Sequence, residues 1–169
     1  MSKLPFRSTF GLALALVTLA ARAAGPVSVR YDHPENFTET REVKAFAPSR
    51  ADPGYLDTLK GYIEKQAAKK LQPGQQLDIV VTDVDRAGSY LPSVGALNPV
   101  RVVKDIYPPR MTLRFRLLDG QGQVIREGER KLTDLGFMYD NPGGFSSTDP
   151  LRYEKHMIDR WLAKGPAHL

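Results

Sequence analysis

Leu77-Asp-Ile-Val-Val-Thr-Asp-Val-Asp85 is the stretch on which the fold turns. It is rich in β-branched residues and apolar on both faces as far as Val81, the pattern of a central strand with cover on its faces. A chain with such a strand must build a sheet around it. Upstream, Val27, Val29 and Tyr31 alternate with polar residues at the period of a half-buried strand, and His33-Pro34 ends the run. Between the two, Asp52 precedes Pro53: the carboxylate can take the first free N–H groups of a helix, and proline loses nothing at the next position. The spacing predicts a helix from about Pro53 to Leu71. Tyr55, Leu56, Leu59, Tyr62, Ile63 and Ala67 share its apolar face, and Pro73-Gly74 stops it.

Downstream, residues 88–99 form a loop with two prolines and two glycines, and Val100-Arg-Val-Val103 reads as a short strand. Met111, Leu113, Phe115 and Leu117 alternate with Thr112, Arg114 and Arg116. Asp119-Gly-Gln-Gly122 then has turn chemistry, and a strand should run from about Gln123 to Leu132. Pairing Leu118 with Gln123 would set Leu117 opposite Val124 and Arg114 opposite Glu127. A second turn-rich loop covers Tyr139 to Thr148. Asp149-Pro150 then repeats the cap-and-proline signal, and a last helix should reach about Leu162 with Leu151, Ile158, Trp161 and Leu162 buried. The order β, α, β, β, β, β, α predicts an α+β, two-layer domain: an antiparallel or mixed sheet of about five strands with two helices on one face.

The chain has 169 residues, 24 basic and 19 acidic, for a formal charge of +5. Lys3 and Arg7, the apolar run from Phe10 to Ala20 and Ala21-Arg22-Ala23 read as the three parts of a secretory signal cleaved after Ala23. The apolar run is too short for the roughly 20 residues a bilayer demands. Residues 24–169 are then expected as one exported domain, in the periplasm of a Gram-negative cell or else secreted. Without Lys3, Arg7 and Arg22 the mature charge falls to +2, spread along the chain, which is no footprint for nucleic acid. No later run is long and apolar enough to span a membrane.

The absence of Cys removes cysteine-based zinc sites and thiol nucleophiles. Asp83 and Asp85, two residues apart at the end of the central strand and followed by Arg86, are the most suggestive pair for acid–base or metal chemistry. As a calcium loop the segment fails, because Ala87 and Val94 stand where oxygen ligands would be required. If the pair is structural, Asp85 should accept the N–H of Ala87 or Gly88, and Asp83 should meet Arg101 or Arg110; removing either carboxylate should then destabilise the domain. His33, in a turn, is the remaining candidate base, since His168 is penultimate and His156 is expected to be solvated. No G-x-S-x-G elbow or phosphate loop is present. Tyr90 and Leu91 lie in a loop unusually apolar for a connection, which either folds back on the core or offers a greasy contact.

The reading is a non-enzymatic periplasmic binding or interaction module for an envelope protein or small ligand. It needs neither cofactor nor metal, and its candidate contacts are Asp83, Asp85, Arg86, Tyr90, Leu91 and His33. The alternatives are a hydrolase or metal-assisted enzyme centred on Asp83 and Asp85, and a purely structural accessory protein.

Four segments carry a resemblance: Thr82-Asp-Val-Asp-Arg-Ala-Gly88, Arg101-Val-Val-Lys-Asp-Ile-Tyr-Pro-Pro-Arg110, Gly128-Glu with Leu132-Thr-Asp-Leu, and Tyr153-Glu-Lys with Trp161. Together they resemble the exported bacterial proteins grouped as domain of unknown function 3016. The resemblance covers nearly all of the mature chain. It implies export and a single domain, and it supplies no activity.

Overall fold

A computed structural model describes residues 25–52, 54–90, 99–139 and 148–165. The order is β1 (Val27–Tyr31), α1 (Thr38–Phe46), α2 (Gly54–Ala68), β2 (Gln76–Asp85), β3 (Ser89–Tyr90), β4 (Arg101–Val102), β5 (Arg110–Leu118), β6 (Val124–Thr133) and α3 (Arg152–Ala163), with single 3₁₀ turns at Pro34–Asn36 and Pro48–Arg50. The main sheet is mixed and runs β1-β2-β5-β6, while β3 and β4 form a small second sheet. This is the α+β arrangement that the alternation predicts, with β2 central, parallel to β1 and antiparallel to β5.

Leu77, Ile79 and Val81 of β2 point inward with Val27 and Val29 of β1 and with Met111, Leu113, Phe115 and Leu117 of β5. The apolar stripes of α2 (Leu59, Ile63, Ala67) and α3 (Ile158, Trp161, Leu162) close this layer into one core. Burying each of the larger aliphatic side chains, such as Leu59, Ile63 and Ile158, is worth about 1.5–3 kcal/mol. The first cap signal is realised, Asp52 accepting the N–H of Gly54 at 2.9 Å; at the second the helix starts later than Asp149-Pro150 predicts, since Asp149 accepts the N–H of Leu151 at 2.9 Å and Leu151, without a side-chain cap bond, is the residue that precedes α3. Among the described residues, no helix is long and apolar enough to cross a membrane.

Three local expectations need correction. A third helix, α1, lies between β1 and α2. Its sequence, TETREVKAF, buries Val43 and Glu39, so it has no apolar stripe for a periodicity argument to find. The loop after Gly88 begins and ends in the strand pair β3–β4, which takes the strand count among the described residues to six.

The hairpin register also differs. Ile125 is an extra residue in β6, so Leu117 faces Arg126, Arg114 faces Glu129, and Arg116 faces Glu127. The turn explains why the connection is one residue longer than the four expected, with Leu118 opposite Val124. Asp119 accepts N–H groups of both Gln121 and Gln123 at 2.9 Å, and Gly122 adopts φ +79°, which lengthens the connection before pairing resumes.

Candidate functional site

The site grows from one irregularity in β2. Thr82 is an extra residue between the pairs Val81↔Leu113 and Asp83↔Thr112. Strict alternation would send residues 83 and 85 into the core behind Leu77, Ile79 and Val81. The bulge reverses the faces instead, so Val84 is fully buried and Asp83 and Asp85 turn away from the core together.

They then meet different partners. Asp83 Oδ1 accepts the backbone N–H of Thr38 at 2.7 Å and Oδ2 accepts its hydroxyl at 2.9 Å. Phe37, the residue before the helix, offers no capping side chain, so Asp83 caps α1 from 45 residues away and puts a negative charge at its N-terminus. Phe37 itself is sunk in the core, its ring edge-on to Tyr31. Asp85 pairs with Arg110, directly across the sheet, at 3.2 Å. Neither expected partner scheme holds: Arg110 belongs to Asp85, Arg101 lies elsewhere, and no Asx turn forms at Ala87.

The amides after Asp85 are met by glutamates of two helices. Glu39 accepts from Arg86 N at 3.4 Å, Glu154 from Ala87 N at 2.8 Å, and Glu42 from Tyr90 N at 3.0 Å as well as from the Ser89 hydroxyl. Gly88 N donates to Tyr107 O at 3.0 Å. β1 has already ended here, so these carboxylates do for the segment what a neighbouring strand would otherwise do. Arg101 completes the lock: it bonds Glu39, reaches Gly88 O at 3.0 Å, and lies 4.5 Å from the ring centre of Tyr90.

Burial governs the electrostatics. Glu154 is 1% exposed, and burial raises its pKa despite the Ala87 N–H and the nearby Arg86; its Oε2 has no hydrogen-bond partner. Burial by itself would lower the Arg101 pKa, but Glu39 and Tyr90 outweigh it and the net movement is upward. The Asp85 carboxyl is raised by burial, against the opposing pull of Arg110.

Two predictions arise here. Asp83→Ala should cost about 1–3 kcal/mol, since a helix cap and a charged acceptor are lost together, whereas Asp85→Ala should stay within about 1 kcal/mol because Arg110 is half exposed. Urea unfolding of both variants checks the ranking, and equal losses would count against it. Glu154→Gln keeps an acceptor for Ala87 N–H and removes a buried charge. A carboxyl raised in the fold supports folding fully below its ordinary value of 4.5 and loses that support as pH rises toward its folded value. The variant should therefore gain in melting temperature over the native protein as pH increases above 4.5, and a constant difference from pH 4 to 8 would contradict this.

Beside this lock lies a cleft of about 380 Å³ between α1, the Pro48–Arg50 turn and the start of α2. Val43, Leu56 and the Tyr55 ring give it a largely apolar wall, and Arg86 borders it. The Arg86 guanidinium donates to Pro150 O at 2.9 Å and sits 5.3 Å from the Tyr55 ring centre. The Tyr55 hydroxyl is buried and makes no hydrogen bond of ordinary geometry; burial, tempered by Thr40, moves its pKa up to about 12.

Of the other sequence candidates, Tyr90 is buried against Val43 and Ala47 as part of the lock. Leu91 lies outside the described residues. His33 is exposed in a left-handed turn (φ 54°), and its ring contacts Glu35 at 3.0 Å and Asp32 at 3.8 Å, away from the Asp83 and Asp85 bonds. His156, expected in solvent, instead has a buried Nε2 that stands 3.9 Å from Asp134. Among the described residues, no three His, Asp or Glu side chains converge as a metal-ligand set.

Sequence reasoning missed Glu39, Glu42 and Glu154. The first two belong to the helix that carries no apolar signal. Glu154 was legible: it falls three residues after Leu151 and four before Ile158, an acid on the buried stripe of α3.

No curated protein and no solved structure matches the chain. Residues 25–164 match the family model described as protein of unknown function, DUF3016, and with that span matched the chain belongs to this family.

Proposed function

We propose that the protein is exported with loss of residues 1–23 and serves in the periplasm as a non-enzymatic binding module, with the cleft beside Arg86 as its ligand seat. One observation carries this reading. The carboxylates an enzyme would use are tied into the fold, Asp83 to Thr38 and Asp85 to Arg110, while the cleft beside them has an open, mainly apolar wall. A volume near 380 Å³ sits at the small end of ligand pockets, which run from about 300 to 1,000 Å³, and suits a small molecule better than a protein segment. The hydrolase reading would need Asp83 free to move protons, and two bonds to Thr38 oppose that.

The test uses residues 24–169 and the fluorescent apolar probe 1-anilinonaphthalene-8-sulfonate. Leu56→Trp places a large ring in the cleft from a half-buried position. The native protein should enhance probe fluorescence saturably and the variant should not, at an unchanged melting temperature. Equal enhancement by both would remove the cleft as the seat. Intact mass of protein from the periplasmic fraction tests export, and a species retaining Met1 to Ala23 there would defeat it.

A further inference from the structure

The main sheet ends on one side at β6, whose outer edge no described strand covers. Its pairing with β5 settles which backbone groups point outward. Asp134 N–H donates to Pro109 O at 3.3 Å, and in an antiparallel ladder pairs that exchange hydrogen bonds alternate with pairs that exchange none. Back along the register, Leu132, Arg130, Gly128 and Arg126 are therefore the residues bonded to β5. Glu127, Glu129, Lys131 and Thr133 present their N–H and C=O groups to the open edge. Neither a proline nor a bulge interrupts this stretch, since the extra residue of β6, Ile125, lies before it.

Along the end of that edge runs a groove of about 260 Å³ between β6 and α3. Leu132, Met157 and Trp161 give it apolar surface, and Arg130, Arg160 and Lys164 border it against one acid, Asp134. Arg160 binds Asp134 at 3.0 Å, and with that pair matched the groove still carries positive charge. By alternation Lys131, at the lip, belongs with Glu127 and Glu129 to the other face of β6, where the two acids stand opposite Arg116 and Arg114. The volume lies below the roughly 300–1,000 Å³ of small-molecule pockets, which suits the side chains of a strand laid along β6 better than a free ligand.

From this we infer that β6 takes up an extended acidic segment of a partner protein as a further strand of the sheet, lowering alternate acidic and aliphatic side chains into the groove against α3. Strand addition draws affinity from main-chain bonds and specificity from the pockets under alternate side chains. Those side chains of the incoming strand stand beside Arg130 and Leu132, where a carboxylate meets the excess cations and an aliphatic group meets Met157 and Trp161. A second copy of the chain fits the edge poorly. Antiparallel pairing about any centre from Glu127 to Lys131 sets like charges opposite, Glu129 against Glu129 for example. This surface shares no residue with the cleft beside Arg86 and stands whether or not that cleft binds a ligand.

The experiment is amide hydrogen exchange on residues 24–169, alone and with a short capped peptide in which threonine alternates with glutamate and valine. In the free protein the amides of Glu127, Glu129, Lys131 and Thr133 should exchange faster than those of Gly128 and Arg130, and the peptide should slow them by about tenfold or more at saturation. A counterpart with lysine in place of glutamate should bind about tenfold more weakly. That margin should shrink as salt rises, and a backbone N-methylated counterpart should give no protection. Lys164→Glu alters an exposed side chain, so the variant should fold, and it should bring the two charged peptides within about threefold of each other. If the acidic peptide leaves the edge amides unchanged, binds no better than the lysine peptide, or keeps its margin in Lys164→Glu, the inference is wrong. Protection that rises with protein concentration alone would make a second copy the occupant. Sedimentation with phosphatidylglycerol vesicles, without any response to the peptide, would make the surface a lipid contact. Either result overturns the acidic strand.

Discussion

Arg101→Ala is expected to lower stability by about 3–5 kcal/mol, the range for removing one partner of a buried ion pair. Glu39 is 2% exposed, and Arg101 is its counter-ion; without the guanidinium, the donor left to that carboxylate among the described residues is the Arg86 N–H at 3.4 Å. The same guanidinium holds Gly88 O and covers the Tyr90 ring, so its loss also loosens the β3–β4 pair. For a domain of this size the melting temperature should fall by very roughly 10–15 °C. The double variant Glu39→Gln, Arg101→Met should recover much of the loss, because neither charge is then stranded. Thermal melts near pH 7 decide it. A single variant within 2 °C of the native protein, an order-of-magnitude margin on the scale above, would show that the pair does not hold the segment after Asp85.

Gly88→Ala should cost about 2–4 kcal/mol from two sources. Gly88 has φ +85°, where an alanine pays about 1–2 kcal/mol. A Cβ there would also lie 2.8 Å from Val102 O, a backbone atom of the paired strand that cannot turn aside. Gly74→Ala separates the two costs. Its φ is +84°, but the nearest atom to a new Cβ is 3.6 Å away, so only the conformational cost applies. Gly88→Ala should therefore melt clearly below Gly74→Ala. If the two lose the same amount, the close packing of Gly88 on β4 contributes nothing.

Some of this structure could be read from residues in order. Where a side chain's fate is set by neighbours one turn or one pleat away, the sequence suffices. Leu59, Ile63 and Ala67 recur at helical spacing and are buried, and Asp52 and Asp149 order the turns that lead into helices through bonds spanning two residues. Asp83 and Asp85 were conspicuous as a pair, although their partners were not. The site eluded such reading because its bonds span 45 to 67 residues: Asp83 to Thr38, Glu42 to Tyr90, Glu39 to Arg101, Glu154 to Ala87. Only Glu154 left a local trace, as a carboxylate among the apolar residues of α3.

The sequence by itself determined an α+β sheet protein, since hydrophobic periodicity and end-capping are short-range and act before the chain has closed on itself. Tertiary structure alone decided which way Asp83 and Asp85 face and what α1 is for. One extra residue at Thr82 reverses the inward face of β2 because strand side chains alternate with a period of two, and no composition signal marks it. Helix α1 has too little apolar surface to be specified by burial. It is held by polar bonds to a strand end where β1 no longer pairs, and that demand exists only once the sheet has formed.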